Sequence, residues 1–137
     1  MVFEQVHYVE LPKICDPRGN LSFIENGARL PFDIERVYWV YDVPGGRKRH
    51  GHAFRKQQEL IIPLSGSFDV VLSDGKEERR YRMDRPNCGL YVPCMTWREI
   101  DNFATNSVAL ILSSTPYDSA DYIEVFEEYV KELNDER

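Results

Sequence analysis

The sequence predicts an all-β antiparallel sandwich or barrel that ends in one α-helix. Short apolar or alternating runs recur along the 137 residues, separated by turn signals. No helical pattern alternates with these runs, which argues against a parallel α/β sheet. Only the last twenty residues carry a period near 3.6.

The elements follow in order. "MVFEQVHYVEL" (1–11) is apolar and aromatic enough for an N-terminal strand, one that a second copy could exchange across a twofold axis. "RVYWVYDV" (36–43) reads as a strand and "PGG" after it as a loop. "ELIIPLSGSFDVVLSDGKEERRYRM" gives two strands around Ser65-Gly66, and a turn at Asp74-Gly75 leads to a third. "CGLYVPCMTWREI" and "SVALILSST" each supply one more. Pro63 and Pro93 inside these runs mark edges, bends or strand ends. In "DSADYIEVFEEYVKELNDER", Tyr122, Val125, Phe126, Tyr129, Val130 and Leu133 form one apolar stripe, so a helix is expected over about 119–134, capped by Asp118 or Ser119. No repeat or interdomain linker divides the chain, and residues 1–137 read as a single domain.

Composition excludes several classes. Lys and Arg number 17 against 23 Asp and Glu, a net charge of −6 that disfavours general nucleic-acid binding. No run is long or apolar enough for a membrane span or a secretory signal. Cys15, Cys88 and Cys94 are odd in number and lack C-x-x-C spacing, as expected of reduced thiols in a cytoplasmic protein.

Against that acidic background stands "GGRKRHGHAFRKQQE" (45–59), where His50 and His52 lie two residues apart among basic side chains. Such a cluster suggests a local anion site, such as one for phosphate. The pair could hold a metal, move a proton or decorate a loop. From Gly46 the chain runs through His52, Phe54, Glu59 and Gly66 with intervals of five, one, four and six residues. That spacing resembles the first motif of the cupins. "PCMTWREIDN" resembles the second, with Pro93 and Asn102 in place but Met95 where Gly is usual and Arg98 where His is usual. The resemblance implies a cupin-type antiparallel β-barrel, or jelly roll.

A mononuclear cupin metal site would draw on positions 52, 54, 59 and 98. Phenylalanine has no lone pair to give and arginine stays cationic, so no metal is expected. His50 would share a strand face with His52 by simple alternation, but it would not remove the charge of Arg98. Without a metal, a neutral imidazole at 52 suits proton abstraction from carbon beside a carbonyl.

A closer resemblance covers the chain from about Leu11 to Tyr129. "DPRGNLSFIE", "IERVYWVYDVPGGRKRHGHAF", "LIIPLSGSFDVVLSDGK" and "YVPCMTWREIDNFATNSVALILSSTPYDSADYI" are similar to the WxcM-like, or FdtA-type, sugar-nucleotide 3,4-ketoisomerases. This implies a dimeric cupin with no cofactor that moves the keto group of dTDP-4-keto-6-deoxyglucose from C4 to C3, in deoxysugar synthesis for surface glycans. By position, His52 matches the family's main acid/base, Tyr38 its active-site tyrosine, and Arg49 its arginine before the histidines. Arg98 falls where members carry His or Arg, and Arg18 in a stretch near the sugar. Arg36 precedes Tyr38 by two on the same strand face. The chemistry fits these positions. His52 can be the base, Tyr38 and Arg98 can donate to the enediolate oxygens, and Arg18, Arg36 and Arg49, with His50 beside them, can bind the diphosphate sugar.

One departure stands out: members usually carry a second histidine where Phe54 stands, and glycine where His50 stands. Two alternatives follow, a cupin epimerase of sugar nucleotides and a cupin that binds a nucleotide sugar with reduced or lost turnover.

Overall fold

A computed structural model describes residues 2–47 and 49–135, and for Arg49 and His50 the backbone alone. Twelve strands form among the described residues: β1 His7–Glu10, β2 Lys13–Asp16, β3 Gly19–Ser22, β4 Arg36–Val40, β5 Arg49–Phe54, β6 Glu59–Ser65, β7 Phe68–Ser73, β8 Glu78–Met83, β9 Cys88–Val92, β10 Trp97–Asp101, β11 Val108–Ser113 and β12 Tyr122–Ile123. One sheet has the order β1-β9-β6-β11-β4 and the other β12-β5-β10-β7-β8, with β2-β3 a separate hairpin. All pairings are antiparallel, the jelly-roll arrangement expected.

Alternation along the strands separates three apolar clusters. Between the sheets lie Ile61, Phe68, Val70, Leu72, Leu90, Ile100 and Ile111, all essentially inaccessible to solvent. Leu60 and Ile62, one residue off that phase, point to the opposite face with Val9, Tyr91 and Leu112, under Phe32 and neighbours from the β3–β4 connection. Ala53, Trp97 and Ile123 lie outside the other sheet, beneath the helix α1, Phe126–Asp135.

Three boundaries differ from the sequence expectation. The helix begins at Phe126, seven residues later than expected. Asp118 does cap, but it caps a short 3-10 turn, Ser119–Asp121, by accepting from Ala120 N at 3.0 Å. Tyr122 and Ile123 then pair with Phe54 and Ala53, which commits their backbone to a sheet edge before a helix can start. Of the expected stripe, Tyr129, Val130 and Leu133 pack on the Ala53 and Trp97 cluster, while Val125 precedes the helix and is exposed. Next, "CGLYVPCMTWREI" is two strands in different sheets. Pro93 closes β9, and Met95, at φ 55°, turns the chain into β10. Last, β4 stops at Val40, short of the expected Val43, and Asp42 at φ 58° leaves the extended region. Pro63 lies inside β6, where pairing to β9 has ended at Ile61 and the register with β11 shifts, so its missing N–H breaks no regular ladder.

At its start, β1 pairs along all four residues with β9 of the same chain. β5 carries an irregularity that matters for the site. His52 stands opposite Arg98, but Arg49 stands opposite Ile100, three residues against two. The extra residue is a bulge of β5 against β10.

Gly51, on the outer side of this strand, sits against Trp97. A Cβ there would stand 2.5 Å from Trp97 Nε1 and 2.7 Å from Glu99 Cγ. Gly51→Ala should therefore displace the indole that supports α1 and destabilise the fold by about 1–3 kcal/mol, read as a lower urea midpoint at unchanged m.

Candidate active site

At one end of the sandwich the inward positions change from apolar to polar on four strands at once. Along β6 the inward Ile61 gives way to Glu59, along β11 Ile111 to Ser113, along β10 Ile100 to Arg98, and along β4 Val40 and Tyr38 to Arg36. Register aligns these changes: Ser113 pairs with Glu59 on one side and Arg36 on the other, and Arg98 pairs with His52. A polar end to the sandwich interior follows from strand phase alone.

Its centre is Glu59, 1 % exposed, bound to Arg98, 4 % exposed. Arg98 Nε donates to Glu59 Oε2 at 2.7 Å and Nη2 to Oε1 at 3.0 Å, a two-point clasp that leaves the Nη1 amino group outside the pair. Tyr38 Oη donates to Glu59 Oε1 at 2.9 Å and accepts from Arg98 Nη2 at 3.1 Å. Gln57 Nε2 also donates to Oε1, at 2.9 Å. Gln57 Oε1 in turn accepts from Arg36 Nη2 at 2.9 Å and Thr115 Oγ1 at 3.2 Å. The Arg36 guanidinium lies 4.8 Å from the Tyr38 ring and 5.5 Å from that of Tyr117, and its Nε is buried with no hydrogen-bond partner among the described residues.

These contacts set the charge states. Burial pushes the Glu59 carboxyl up, but Arg98, helped by His52 and Tyr38, outweighs it and holds the group below the usual carboxylate range. Burial first, and the Glu59 charge second, push the Tyr38 phenol up, so it keeps its proton. Burial opposes the charge on Arg98, and the adjacent carboxylate more than restores it. The cluster is thus carboxylate, guanidinium and neutral phenol.

His52 completes the inner wall. Its ring meets Phe54 edge-on at 4.8 Å and Tyr122 at 5.4 Å, and Phe54 meets Tyr122 at 4.6 Å. β12 brings Tyr122 alongside Phe54. The preceding segment is fastened to the β5–β6 turn: buried Asp121 accepts from Lys56 N at 2.7 Å and Gln57 N at 3.1 Å.

The structure brings His52, Tyr38, Arg98 and Arg36 together at this polar end of the interior. Arg18 lies apart in this chain, on the exposed β2–β3 hairpin, where its side chain is 91 % exposed and ion-paired with Asp16 at 2.9 Å. The Arg18 hydrogen bonds draw the carboxyl of half-exposed Asp16 down to about 2. The side chains of Arg49 and His50 lie outside the described residues. Sequence reasoning placed Glu59 only as a ligand position of a metal site it rejected and gave no role to Gln57, Thr115, Tyr117 or Tyr122. The Glu in the cupin spacing was the available signal for the first, and the "TPYDSADYI" stretch for the last two.

The fold invites a test for a metal. Both Glu59 oxygens are taken up by Arg98, Tyr38 and Gln57, a cation occupies the fourth ligand position, and Phe54 fills the second. Among the described residues no group of three His, Cys, Asp or Glu side chains could hold a metal ion. The donor set does not fit one.

Removing one charge of the pair should cost far more than removing both. Arg98→Met, leaving Glu59 buried alone, is expected to destabilise by about 3–5 kcal/mol, and a Glu59→Leu/Arg98→Met double variant by much less, in urea titrations. The sign of the pH dependence follows from the lowered Glu59 value. The pair's contribution is complete above the ordinary Glu value of 4.5 and is lost as pH falls below it toward the folded value. The double variant should lose that part of the acid sensitivity.

Comparison with known proteins agrees with this architecture. The FdtA family, described as WxcM-like, C-terminal, matches residues 4–134. A TDP-4-oxo-6-deoxy-alpha-D-glucose-3,4-oxoisomerase from Aneurinibacillus thermoaerophilus is 36 % identical over 132 residues, covering 94 % of this chain and 95 % of the relative. The structure of QdtA, a sugar 3,4-ketoisomerase from Thermoanaerobacterium thermosaccharolyticum in complex with TDP, superposes with a TM-score of 0.94 at 33 % identity, over 99 % of this chain and 98 % of QdtA. WlaRB, a TDP-quinovose 3,4-ketoisomerase from Campylobacter jejuni, superposes with a TM-score of 0.88 at 36 % identity, over 93 % of this chain and 98 % of its own. A chain matched over almost its whole length, with a jelly roll of the same shape, belongs to the FdtA family of WxcM-like proteins.

Proposed function

We propose that the chain is a sugar-nucleotide 3,4-ketoisomerase acting on TDP-4-keto-6-deoxyglucose, the substrate in the name of its 36 % identical relative. The observation that carries the reading is a histidine directly across the ladder from an arginine that a buried carboxylate holds in place. Moving a carbonyl from C4 to C3 requires a base at carbon and a fixed positive charge at the oxygens that become an enediolate. His52 removes the C3 proton and returns it at C4. Arg98 is the fixed charge, and its Nη1, left over from the clasp, is the group available to the sugar oxygens.

Tyr38 takes a different part from a free donor. Its one proton is engaged by Glu59, so toward substrate it offers a lone pair to a sugar hydroxyl unless the hydroxyl rotates away. Arg36 is the diphosphate contact in this reading, because its Nε–H is buried without a partner among the described residues. A groove of about 400 Å³ lined by Lys56, Thr115, Tyr117 and Asp121 opens beside it, and the nucleoside lies there. Arg49 and His50 belong to the same binding role.

The active form is a homodimer. The β2–β3 hairpin pairs only with itself, yet carries exposed Ile14 and Leu21, followed by exposed Phe23. An isolated two-stranded hairpin is marginal in water. Trp39, Tyr41 and Leu64 present an open apolar patch on the β4-β11-β6 face. A second copy covering both would also carry Arg18 toward its partner's cavity, which reconciles the exposed arginine with a substrate role. The reaction is cytoplasmic, in keeping with an odd number of cysteines that lack C-x-x-C spacing.

His52→Asn should abolish conversion of TDP-4-keto-6-deoxyglucose, followed by NMR, while calorimetry shows TDP binding within about threefold of the unaltered protein. An active H52N would overturn the base assignment, and an inverted centre in place of a moved carbonyl would favour an epimerase. Light scattering should give the mass of two chains, and Leu21→Asp should shift it to one.

A further inference from the structure

Moving the keto group requires two proton transfers, one between carbons and one between oxygens. Resting on the isomerase reading above, His52 serves the carbon pair. The hydroxyl proton must still leave O3 and another reach O4, and Phe54 cannot carry it.

The groups around His52 narrow the choice. Arg98 stays cationic and gives up no proton. Glu59 has both oxygens engaged and is held ionised by Arg98. Tyr38 has its proton on Glu59 and a lone pair on Arg98. Tyr122 is different. Its ring packs 5.4 Å from His52 and 4.6 Å from Phe54, and its hydroxyl has no hydrogen-bond partner among the described residues. It also stands close enough to Tyr38 to help push that phenol up.

Its position is built. Tyr122 pairs in register with Phe54, and its backbone N–H closes the 3-10 turn onto Ser119 O. Arg55 Nη1 donates to Tyr122 O at 3.2 Å, and Arg55 is held in turn by Glu132 of α1 at 2.8 Å. Asp121, next in the chain, fastens the segment to the turn that presents Gln57. The "TPYDSADYI" stretch is therefore a strap that fixes one phenol beside His52 and Phe54, on the sheet that also carries Arg98.

We propose that Tyr122 is a catalytic residue of this chain, relaying the proton from O3 to O4 in place of an imidazole at position 54. The C3–H bond breaks to His52 and its electron pair forms the C3=C4 bond. The C4=O4 pair moves onto O4, which takes the Tyr122 proton. The phenolate then takes the proton of O3–H, whose pair forms C3=O3. The C3=C4 pair takes back the His52 proton at C4. Proton and electron counts close, and both side chains return to their starting states.

The test compares the unaltered protein with Tyr122→Phe, Phe54→His and the double variant, on TDP-4-keto-6-deoxyglucose in deuterated water. Y122F should lower kcat about a hundredfold or more with KM within about threefold, yet still exchange the C3 hydrogen, because His52 is intact. Adding Phe54→His to it should restore at least about tenfold of the lost kcat. Product formation by Y122F within about threefold of the unaltered rate, or loss of exchange in step with product, would overturn the assignment, as would failure of the rescue. An unaltered protein with neither product nor exchange would instead overturn the isomerase reading, and this relay with it.

Discussion

One buried ion pair organises this molecule. Glu59 and Arg98 are almost fully removed from water, and each would be very costly there alone. Joined through two hydrogen bonds they hold a permanent cation at the point where the barrel interior opens. Tyr38, Gln57, Arg36 and Thr115 attach to it in a chain of contacts. A buried pair is weak evidence for stability, since an apolar replacement often serves a core as well. Its value here is placement. A guanidinium whose Nε and Nη2 are fixed on a carboxylate stays in place when negative charge develops nearby, so the proposed reaction needs little reorganisation there.

The same arrangement takes up the positions from which a cupin frame would bind a metal. Four strand positions that could converge on an ion instead carry an imidazole, a phenyl ring, a carboxylate and a guanidinium. The cation belongs to the protein, and the carboxylate that would have been a ligand becomes its anchor. In the proposed isomerase the imidazole then serves the proton chemistry. Around this wall the chain adds aromatic surface from a segment outside the regular sandwich, where the Tyr117 and Tyr122 rings meet at 5.9 Å, tilted by 52°. Asp121 and Arg55 secure that segment to β5 and α1, so a part of the site sits on a short strap yet is held by sheet pairing and ion pairs.

Much of the fold could be read from residue order because alternation and turn chemistry are local. The β6–β7–β8 run, with Gly66 at φ 70° and Gly75 at φ 91°, falls where Ser65-Gly66 and Asp74-Gly75 place its turns. The β2–β3 hairpin escaped notice because its four-residue strands bury almost nothing and so carry no strong apolar pattern. The helix start was misjudged because the same Tyr122 and Ile123 satisfy a helical stripe and a strand edge, and tertiary pairing with β5 decides between them. At the site, motif spacing located His52, Glu59 and Arg98. It could not show that Glu59 grips Arg98 or that Tyr38 spends its proton on Glu59, since those depend on register between strands far apart in sequence. The irregularity of β5 between Arg49 and His52 was hidden for a related reason: it is a property of the β5–β10 ladder, with no mark in the sequence.

The most direct test of the central claim is a crystal structure of the His52→Asn protein with TDP-4-keto-6-deoxyglucose bound. The account predicts the Glu59–Arg98 clasp intact, Arg98 Nη1 within hydrogen-bond reach of a sugar oxygen, and C3 facing side chain 52. A hexose bound with Arg98 released from Glu59, or with C3 turned away from that side chain, would contradict it.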